Sequence, residues 1–291
     1  MYPEPIEHFF VPETIAEVVA LLREHPTAKL LAGGQSLVPL MRARLLCPPT
    51  LVDINHVSGL DSIEAKGDNL RIGALVRYRD VLRHRHVNKF FAALADAAAS
   101  IGDRQVRNRG TVIGNVAQRD HTGDIAPVAL IFDGMLESAR DGGEAEIESL
   151  ESFTRKSLSD GTPTGHFIQH IELHNGTPGS AFIKHGRVAQ DRTILSVAAA
   201  LRYGSEGRCT QVRVAIGGVA PTPLRIAAVE IDLESNPLDK ALLIHLGQVA
   251  AAAIAPQDDP LASAAYRTQL IRTTVPAAIS KAIERAGGTI P

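Results

Sequence analysis

The sequence stretch that decides the fold is Leu31-Ala32-Gly33-Gly34-Gln35-Ser36-Leu37, and a second glycine-bearing stretch, Thr111-Val112-Ile113-Gly114-Asn115, follows later in the chain. Each lies beside an apolar run and offers small residues whose backbone N–H groups can point into one pocket. Glycine permits positive φ and close approach of a ligand, so such arrays of N–H groups bind anions, most often phosphate or pyrophosphate. Two such loops predict a ligand held between two lobes; the alternative is that the glycines only punctuate strands and turns.

The composition excludes several classes of protein. Hydrophobic residues make up 45% and charged residues 21% of the 291 residues, as in an ordinary folded protein. This length predicts about two domains. A net charge of -2 argues against nucleic acid as the main partner. No apolar stretch reaches the roughly 18 residues of a membrane span, and the N-terminus lacks a signal-peptide pattern, so we expect a cytoplasmic protein.

Two cysteines, Cys47 and Cys209, are present. They are too few for a four-cysteine iron–sulfur or zinc site within the chain. A disulfide is poorly supported in a chain without a secretion signal. We expect both side chains to be buried as small hydrophobes.

The first part of the chain alternates helices and strands. Apolar residues at i, i+3, i+4 and i+7 predict an amphipathic helix from Ile15 to Leu22. Further along, the sequence predicts strands at 29–32, 50–54 and 70–73, helices at 38–42 and 90–101, and a hairpin at 140–148. A turn-rich stretch at 175–179 then indicates a boundary, so we expect domains at 1–176 and 177–291. The second domain has strands at 181–184 and 212–216 before helices near 237–254 and 261–286, an α+β arrangement.

Common catalytic and metal motifs are missing from the sequence. There is no G-x-G-x-x-G after the first strand, no Walker A loop and no G-x-S-x-G elbow. His166, His170 and His174 recur every four residues, but their segment is typical of a strand, on which Glu172 would point the other way. We therefore predict neither a metal site nor a catalytic acid or base in this chain.

Three stretches together resemble the FAD-binding subunits of the molybdenum hydroxylases, the xanthine dehydrogenase and carbon monoxide dehydrogenase family. The first loop resembles the family's Ala-Gly-Gly-x-Ser signature, residues 105–115 resemble its second signature, and residues 216–225 are similar to a recurring stretch of its C-terminal domain. The three lie in order and span nearly the whole chain, which makes them far more specific together than singly.

The resemblance implies an α+β fold, with a PCMH or vanillyl-alcohol-oxidase-like FAD-binding domain of two α/β lobes followed by a three-stranded antiparallel sheet with helices. It implies that FAD lies between the lobes, with its diphosphate against the two loops. By position, Asp124 would bind a ribose hydroxyl, Ile168 would lie near a ring of FAD, and Lys184 would lie near the isoalloxazine. Arg192 stands where relatives often carry an aromatic residue over the flavin, and it either tunes the flavin or points to solvent. The implied cofactor-binding set is Leu31, Ala32, Gly33, Gly34, Gln35, Ser36, Leu37, Ile101, Thr111, Val112, Ile113, Gly114, Asn115, Asp124, Ile168, Lys184 and Arg192.

The implied function is that of an electron-transferring oxidoreductase subunit in a heterotrimer, arranged as a dimer of heterotrimers. A large subunit would hold the molybdenum-pterin, and a small subunit would hold two 2Fe–2S clusters that feed the FAD of this chain. The organic substrate would be chosen on another chain. NAD, oxygen, a quinone or another protein would be the acceptor.

Two alternatives stay open at the level of sequence. A stand-alone FAD oxidase of the vanillyl-alcohol oxidase type would need a larger substrate domain, and usually a His or Cys for covalent attachment of the flavin. A non-enzymatic nucleotide-binding module would need only the loops.

Overall fold

A parallel sheet carries the first glycine loop at one of its strand ends. The computed structural model describes residues 5–140, 142–156, 166–204 and 206–291. The first lobe is built from β1 (His8–Phe10), α1 (Ile15–Glu24), β2 (Lys29–Leu31), α2 (Leu37–Arg42) and β3 (Thr50–Asp53), with β1 and β2 both parallel to β3. The predicted amphipathic helix is confirmed. It buries Val18, Val19 and Leu22, and the Thr14 hydroxyl caps it by accepting from Glu17 N.

The second lobe is an antiparallel sheet surrounded by short helices. Its strands are β4 (Ile63–Lys66), β5 (Asn69–Gly73), β6 (Met135–Ala139), β7 (Glu146–Ser149) and β8 (Phe167–Leu173), in the order β4-β5-β8-β6-β7. The helices are α3 (Tyr78–Arg83), α4 (Arg85–Phe90), α5 (Ala92–Ser100), α6 (Arg104–Arg109), α7 (Val112–Ala117), α8 (Ile125–Ile131) and α9 (Leu150–Arg155). The predicted hairpin is present, but its first strand, β6, lies before residue 140. The strand predicted in the histidine segment is confirmed as β8, which contains His170 and is flanked by His166 and His174. Alternate residues of β8 are buried, as period-two patterning requires.

The helix predicted over residues 90–101 is interrupted at Phe91. This residue has φ -129° and ψ 43°, so α4 ends before it and α5 begins after it. Its side chain is fully buried, and its ring centroid lies 4.8 Å from that of Phe132. At the break, the Phe91 ring packs in the core. Tertiary packing can override local helix propensity in this way.

The C-terminal part contains β9 (Ser180–His185), β10 (Leu195–Tyr203), β11 (Cys209–Gly217) and β12 (Leu224–Arg225), followed by α10 (Ala227–Ser235), α11 (Lys240–Ala253) and α12 (Ala264–Arg285). Neighbouring strands of this sheet are antiparallel, in the order β12-β11-β10-β9. Sequence patterning predicted two of these strands, β9 and β11, and the family resemblance implied a sheet of three. The described chain has four, because β10 and the two-residue β12 are also present.

This last sheet is buried on both faces. Ala181, Val197 and Val214 face the core formed with α10, α11 and α12, whereas Phe182 and Ala198 belong to the core of the N-terminal lobes. Successive side chains of a strand point to opposite faces, so one sheet seals two cores. The near-continuous apolar run of β10 follows from this double burial.

The two cysteines differ in exposure. Cys209 is buried on β11, as expected, whereas the expectation of burial is wrong for Cys47, which is exposed in the connection after α2. Among the described helices, none is long and apolar enough to cross a membrane.

Candidate functional site

A cavity of about 700 Å³ lies between the two glycine loops. Its volume falls within the usual range for small-molecule sites, about 300–1,000 Å³. The first loop contributes Ala32, Gly33, Gly34, Gln35, Ser36 and Leu37, and the second contributes Thr111, Ile113, Gly114 and Asn115. Apolar side chains form much of the remaining described lining, among them Leu22, Pro26, Leu30, Leu40, Leu46, Phe153 and Ile168. The structure thus brings together most of the predicted binding residues.

The two loops touch through Gly33. A Cβ atom on this residue would overlap the Arg109 carbonyl oxygen and would lie 2.9 Å from the Cα atom of Gly110. Ordinary contacts between carbon atoms are about 3.5–4.0 Å. Only glycine therefore allows the first loop to approach the backbone that leads into the second loop.

The first loop leaves several backbone donors available. Gly34 has φ +72°, in the left-handed region that favours glycine. Within the described part of the chain, the N–H groups of Gly34, Gln35 and Ser36 donate no hydrogen bond to the protein. The Gln35 side chain donates through Nε2 to the Gly33 carbonyl at 3.2 Å, which helps to fix the turn. An array of free N–H groups around a left-handed glycine is a nest suited to an anion.

The second loop begins the short helix α7. Thr111 is the N-cap, and its Oγ1 accepts from Gly114 N at 3.0 Å. A Cβ atom on Gly114 would lie 2.5 Å from that oxygen, so a side chain there would disturb the cap. Asn115 follows, with Oδ1 accepting from Ile125 N at 3.2 Å. The loop is therefore held by its own side chains and presents the exposed Gly114 to the cavity.

Tyr78 forms part of the cavity wall next to the second loop. Its side chain is 4% exposed, and Gly110 packs against the ring edge. Burial raises the pKa of Tyr78, and a hydrogen bond with the Asn115 side chain opposes this shift. A phenol is protonated at neutral pH even without this shift, and burial reinforces that state for Tyr78.

Three residues of the predicted cofactor-binding set lie outside the described cavity lining. Leu31 ends β2 and is half-buried, Val112 is fully buried, and Ile101 is half-buried at the end of α5. The Ile101 carbonyl accepts from Arg107 Nη1 at 3.1 Å.

Asp124 and Lys184 also lie outside the described cavity lining, where they form a buried ion pair. Lys184 Nζ lies 2.7 Å from Asp124 Oδ2, and the two side chains are 10% and 6% exposed. Asp124 Oδ1 accepts from the hydroxyl of buried Thr193 at 2.5 Å. Burial raises the pKa of Asp124, and the Lys184 ammonium group opposes the shift. Arg192, next to Thr193, is exposed, and its N–H donates to Asp191 Oδ1.

Sequence analysis missed Arg77 and Asn55, which lie between the loops. Arg77 Nη1 donates to the Arg109 carbonyl at 2.5 Å, and Nη2 donates to Asn55 Oδ1. Asn55 Nδ2 in turn donates to the Ala32 carbonyl at 3.0 Å. No motif marks either residue, because the contacts depend on segments that are distant in the chain.

These features fit FAD. Its diphosphate is an anion that the N–H groups of Gly34, Gln35 and Ser36 can bind, and the positive φ of Gly34 gives this turn the shape of an anion nest. Its ring systems match the apolar parts of the wall. Among the described residues, no group of three or more His, Cys, Asp or Glu side chains is placed to hold a metal ion.

The fold and the site thus define a two-lobed flavoprotein with a C-terminal sheet-and-helix domain. A family model described as the FAD binding domain in molybdopterin dehydrogenase matches residues 5–174, and one described as the CO dehydrogenase flavoprotein C-terminal domain matches residues 180–282. The chain belongs to this family of FAD-binding subunits of molybdopterin dehydrogenases, the molybdenum hydroxylases. It is an oxidoreductase subunit, and the resemblance and fold class predicted from the sequence are confirmed.

Individual relatives match along almost their whole length. The chain is 31% identical to the 6-hydroxypseudooxynicotine dehydrogenase complex subunit alpha of Paenarthrobacter nicotinovorans, over 98% of this chain and 97% of that protein. It is 30% identical to the xanthine dehydrogenase FAD-binding subunit of Escherichia coli O157:H7, over 95% of this chain and 96% of that protein. A solved structure of carbon monoxide dehydrogenase from Hydrogenophaga pseudoflava matches with a TM-score of 0.91 at 30% identity, covering 98% of this chain and 99% of that chain.

Proposed function

We propose that this chain takes electrons from iron–sulfur clusters on a partner subunit and passes them to an external acceptor. The observation that carries the proposal is the meeting of the two glycine loops at one cavity, through the contact of Gly33 with Arg109 and Gly110. Similarity to a complex subunit and to a xanthine dehydrogenase FAD-binding subunit supports the same role. Family membership also favours it over a stand-alone oxidase or a simple nucleotide-binding module.

FAD, when bound, supplies the acceptance and release of electrons. In this proposal the N–H groups of Gln35 and Ser36 and the start of α7 bind the diphosphate. Ile168 and the other apolar lining residues enclose a ring system. The chain's task is to bind, orient and shield, which requires neither a catalytic acid nor a base.

The buried ion pair has a supporting part in this proposal. Each carboxylate oxygen has two lone pairs, so Asp124 keeps acceptor capacity for a ribose hydroxyl beyond its bonds with Lys184 and Thr193. In this proposal Lys184, whose charge is paired with Asp124, and the exposed Arg192 lie toward the isoalloxazine end of FAD. Leu31, Ile101 and Val112 support the loops from behind.

The assembly we propose is a heterotrimer of this chain, a molybdenum-pterin subunit and a subunit that carries two 2Fe–2S clusters. Two such heterotrimers would form a dimer, and we propose the cytoplasm as its location. We also propose the division into domains 1–176 and 177–291. The two matched family ranges, which flank residues 175–179, support this division.

Co-purification tests the proposed function. The tagged chain, expressed with its neighbouring subunits in the source cell, should bring down FAD, iron and molybdenum in fixed ratio. Substrate should reduce the flavin in this complex and fail to do so with the isolated chain. Flavin reduction by a small organic substrate in the isolated chain would favour the oxidase alternative, and purification without flavin would favour the nucleotide-binding module.

A further inference from the structure

Arg77 connects the two glycine loops from outside the cavity lining. It precedes α3, and the flanking residues pair with the second loop, since Tyr78 N donates to Gly110 O and Val112 N donates to Val76 O. Its guanidinium reaches the Arg109 carbonyl through Nη1 and Asn55 Oδ1 through Nη2. One side chain therefore holds the backbone next to the second loop and a residue of the first lobe.

Asn55 completes the connection on the first lobe. It lies in a short 3-10 turn, Ile54–His56, directly after β3, and its N–H donates to Asp53 Oδ1 at 3.0 Å. Its Nδ2 donates to Ala32 O at 3.0 Å and to Leu31 O at 3.4 Å. The C=O and N–H groups of a trans peptide point in opposite directions, so a fixed Ala32 carbonyl also fixes the direction of the Gly33 N–H.

The chemistry of this connection requires arginine. The planar guanidinium offers several donors in a rigid fork and can bind two acceptors at once, whereas a lysine ammonium is a compact point charge on a flexible chain. Burial lowers the pKa of Arg77, and the nearby Arg109 and Arg79 side chains lower it further. The Asp80 and Asp53 carboxylates oppose these effects.

We propose that Arg77 and Asn55 form a clasp, meaning these two side chains and the carbonyls of Ala32 and Arg109, that sets the separation and orientation of the two loops for the FAD diphosphate. The clasp joins the parallel-sheet lobe to the antiparallel-sheet lobe on either side of the cavity. Arg77 and Asn55 are thus positioning residues for the cofactor. The inference rests on the proposed placement of FAD against the two loops.

The test is FAD affinity of the full-length chain, measured by titrating flavin-free protein and by the rate of FAD release. Arg77→Gln, Arg77→Lys and Asn55→Ala should each raise the Kd at least roughly tenfold. Arg77→Lys should also bind FAD weakly, because it keeps the positive charge but loses the two guanidinium donors that reach Arg109 O and Asn55 Oδ1 together. In the double variant Arg77→Gln/Asn55→Ala the Kd should rise no further than in either single variant, since both remove the same clasp.

The control is Arg79→Gln, which removes the same charge from an exposed side chain that pairs with Asp80. It should bind FAD as the wild type does. Thermal unfolding without FAD separates positioning from general stability: the clasp variants should keep the transition of the Arg79→Gln control. The clasp proposal is wrong if Arg77→Lys binds FAD with wild-type affinity, or if the effects of the two single variants on FAD binding free energy add up fully in the double variant.

Variants of the loops distinguish the clasp from the placement of FAD. If Gly33→Ala and Gly114→Val lose FAD while Arg77→Gln keeps it, the placement stands and the clasp is wrong. If the loop variants also keep FAD at wild-type affinity, the placement itself fails and takes the clasp with it.

Discussion

Replacing Gly33 by alanine adds one methyl group at the contact between the two loops. The new Cβ would overlap the Arg109 carbonyl oxygen and would lie 2.9 Å from Gly110 Cα and 3.0 Å from the Arg109 carbonyl carbon. These neighbours are backbone atoms, which cannot rotate away as a flexible side chain can. To restore ordinary carbon–carbon contact, the loops must separate by roughly 1 Å.

A separation of this size has a calculable effect on binding. A hydrogen bond near 2.9 Å that lengthens by about 1 Å is no longer a hydrogen bond. Hydrogen bonds to charged groups contribute about 1.5–3 kcal/mol each. The loss of one bond to the diphosphate therefore raises the Kd of FAD by roughly 10- to 150-fold.

The assay is titration of the flavin-free chain with FAD, together with thermal unfolding of the same samples. Gly204→Ala is the matched control, because among the described residues its Cβ would meet just the Arg208 carbonyl oxygen, at an ordinary contact distance of 3.7 Å. We expect Gly204→Ala to bind FAD normally. Equal affinity of Gly33→Ala and wild type, with both folded, would refute the argument that the loops grip the diphosphate together.

Three further predictions concern the second loop, the Lys184–Asp124 ion pair and the Arg267–Asp259 ion pair. Gly114→Val should give folded but largely colourless protein, because the valine side chain collides with the Thr111 cap of α7. The absorption spectrum of the purified variant measures its flavin content, and full flavin content would contradict the role of the second loop. Lys184→Met should destabilise the chain by about 3–5 kcal/mol, because it leaves the buried Asp124 carboxylate unpaired. Adding Asp124→Asn should recover most of the loss in urea unfolding, and no recovery would refute the ion-pair explanation. The hydrogen bond from Arg267 lowers the pKa of Asp259 from 3.8 to about 2, so its stabilising effect is complete above pH 4 and disappears as the pH falls toward 2. Asp259→Asn should accordingly unfold at a lower urea concentration than wild type at pH 7. The difference between the two urea midpoints should narrow steadily between pH 4 and 2, and a constant difference would argue against the stabilising role of the Arg267–Asp259 pair.

Local sequence determined the glycine loops, the amphipathic helix α1 and the strand β2 that precedes the first loop. These features depend on residues close in the chain, so periodicity and glycine positions report them directly. The resemblance to a family then supplied the FAD cofactor, and the matched family models confirm the family and this cofactor. No periodic signal, however, placed the helix break at Phe91, whose ring is buried in the core against Phe132.

Only the tertiary structure decided what holds the site together. Arg77 and Arg109 are 32 positions apart, Asn55 and Ala32 are 23 apart, and Lys184 and Asp124 are 60 apart. Sequence analysis placed Asp124 and Lys184 separately near FAD, whereas the structure joins them in one ion pair. The sequence carries the donors and acceptors, but which donor meets which acceptor depends on how the sheets pack, and that is set by burial of the whole core.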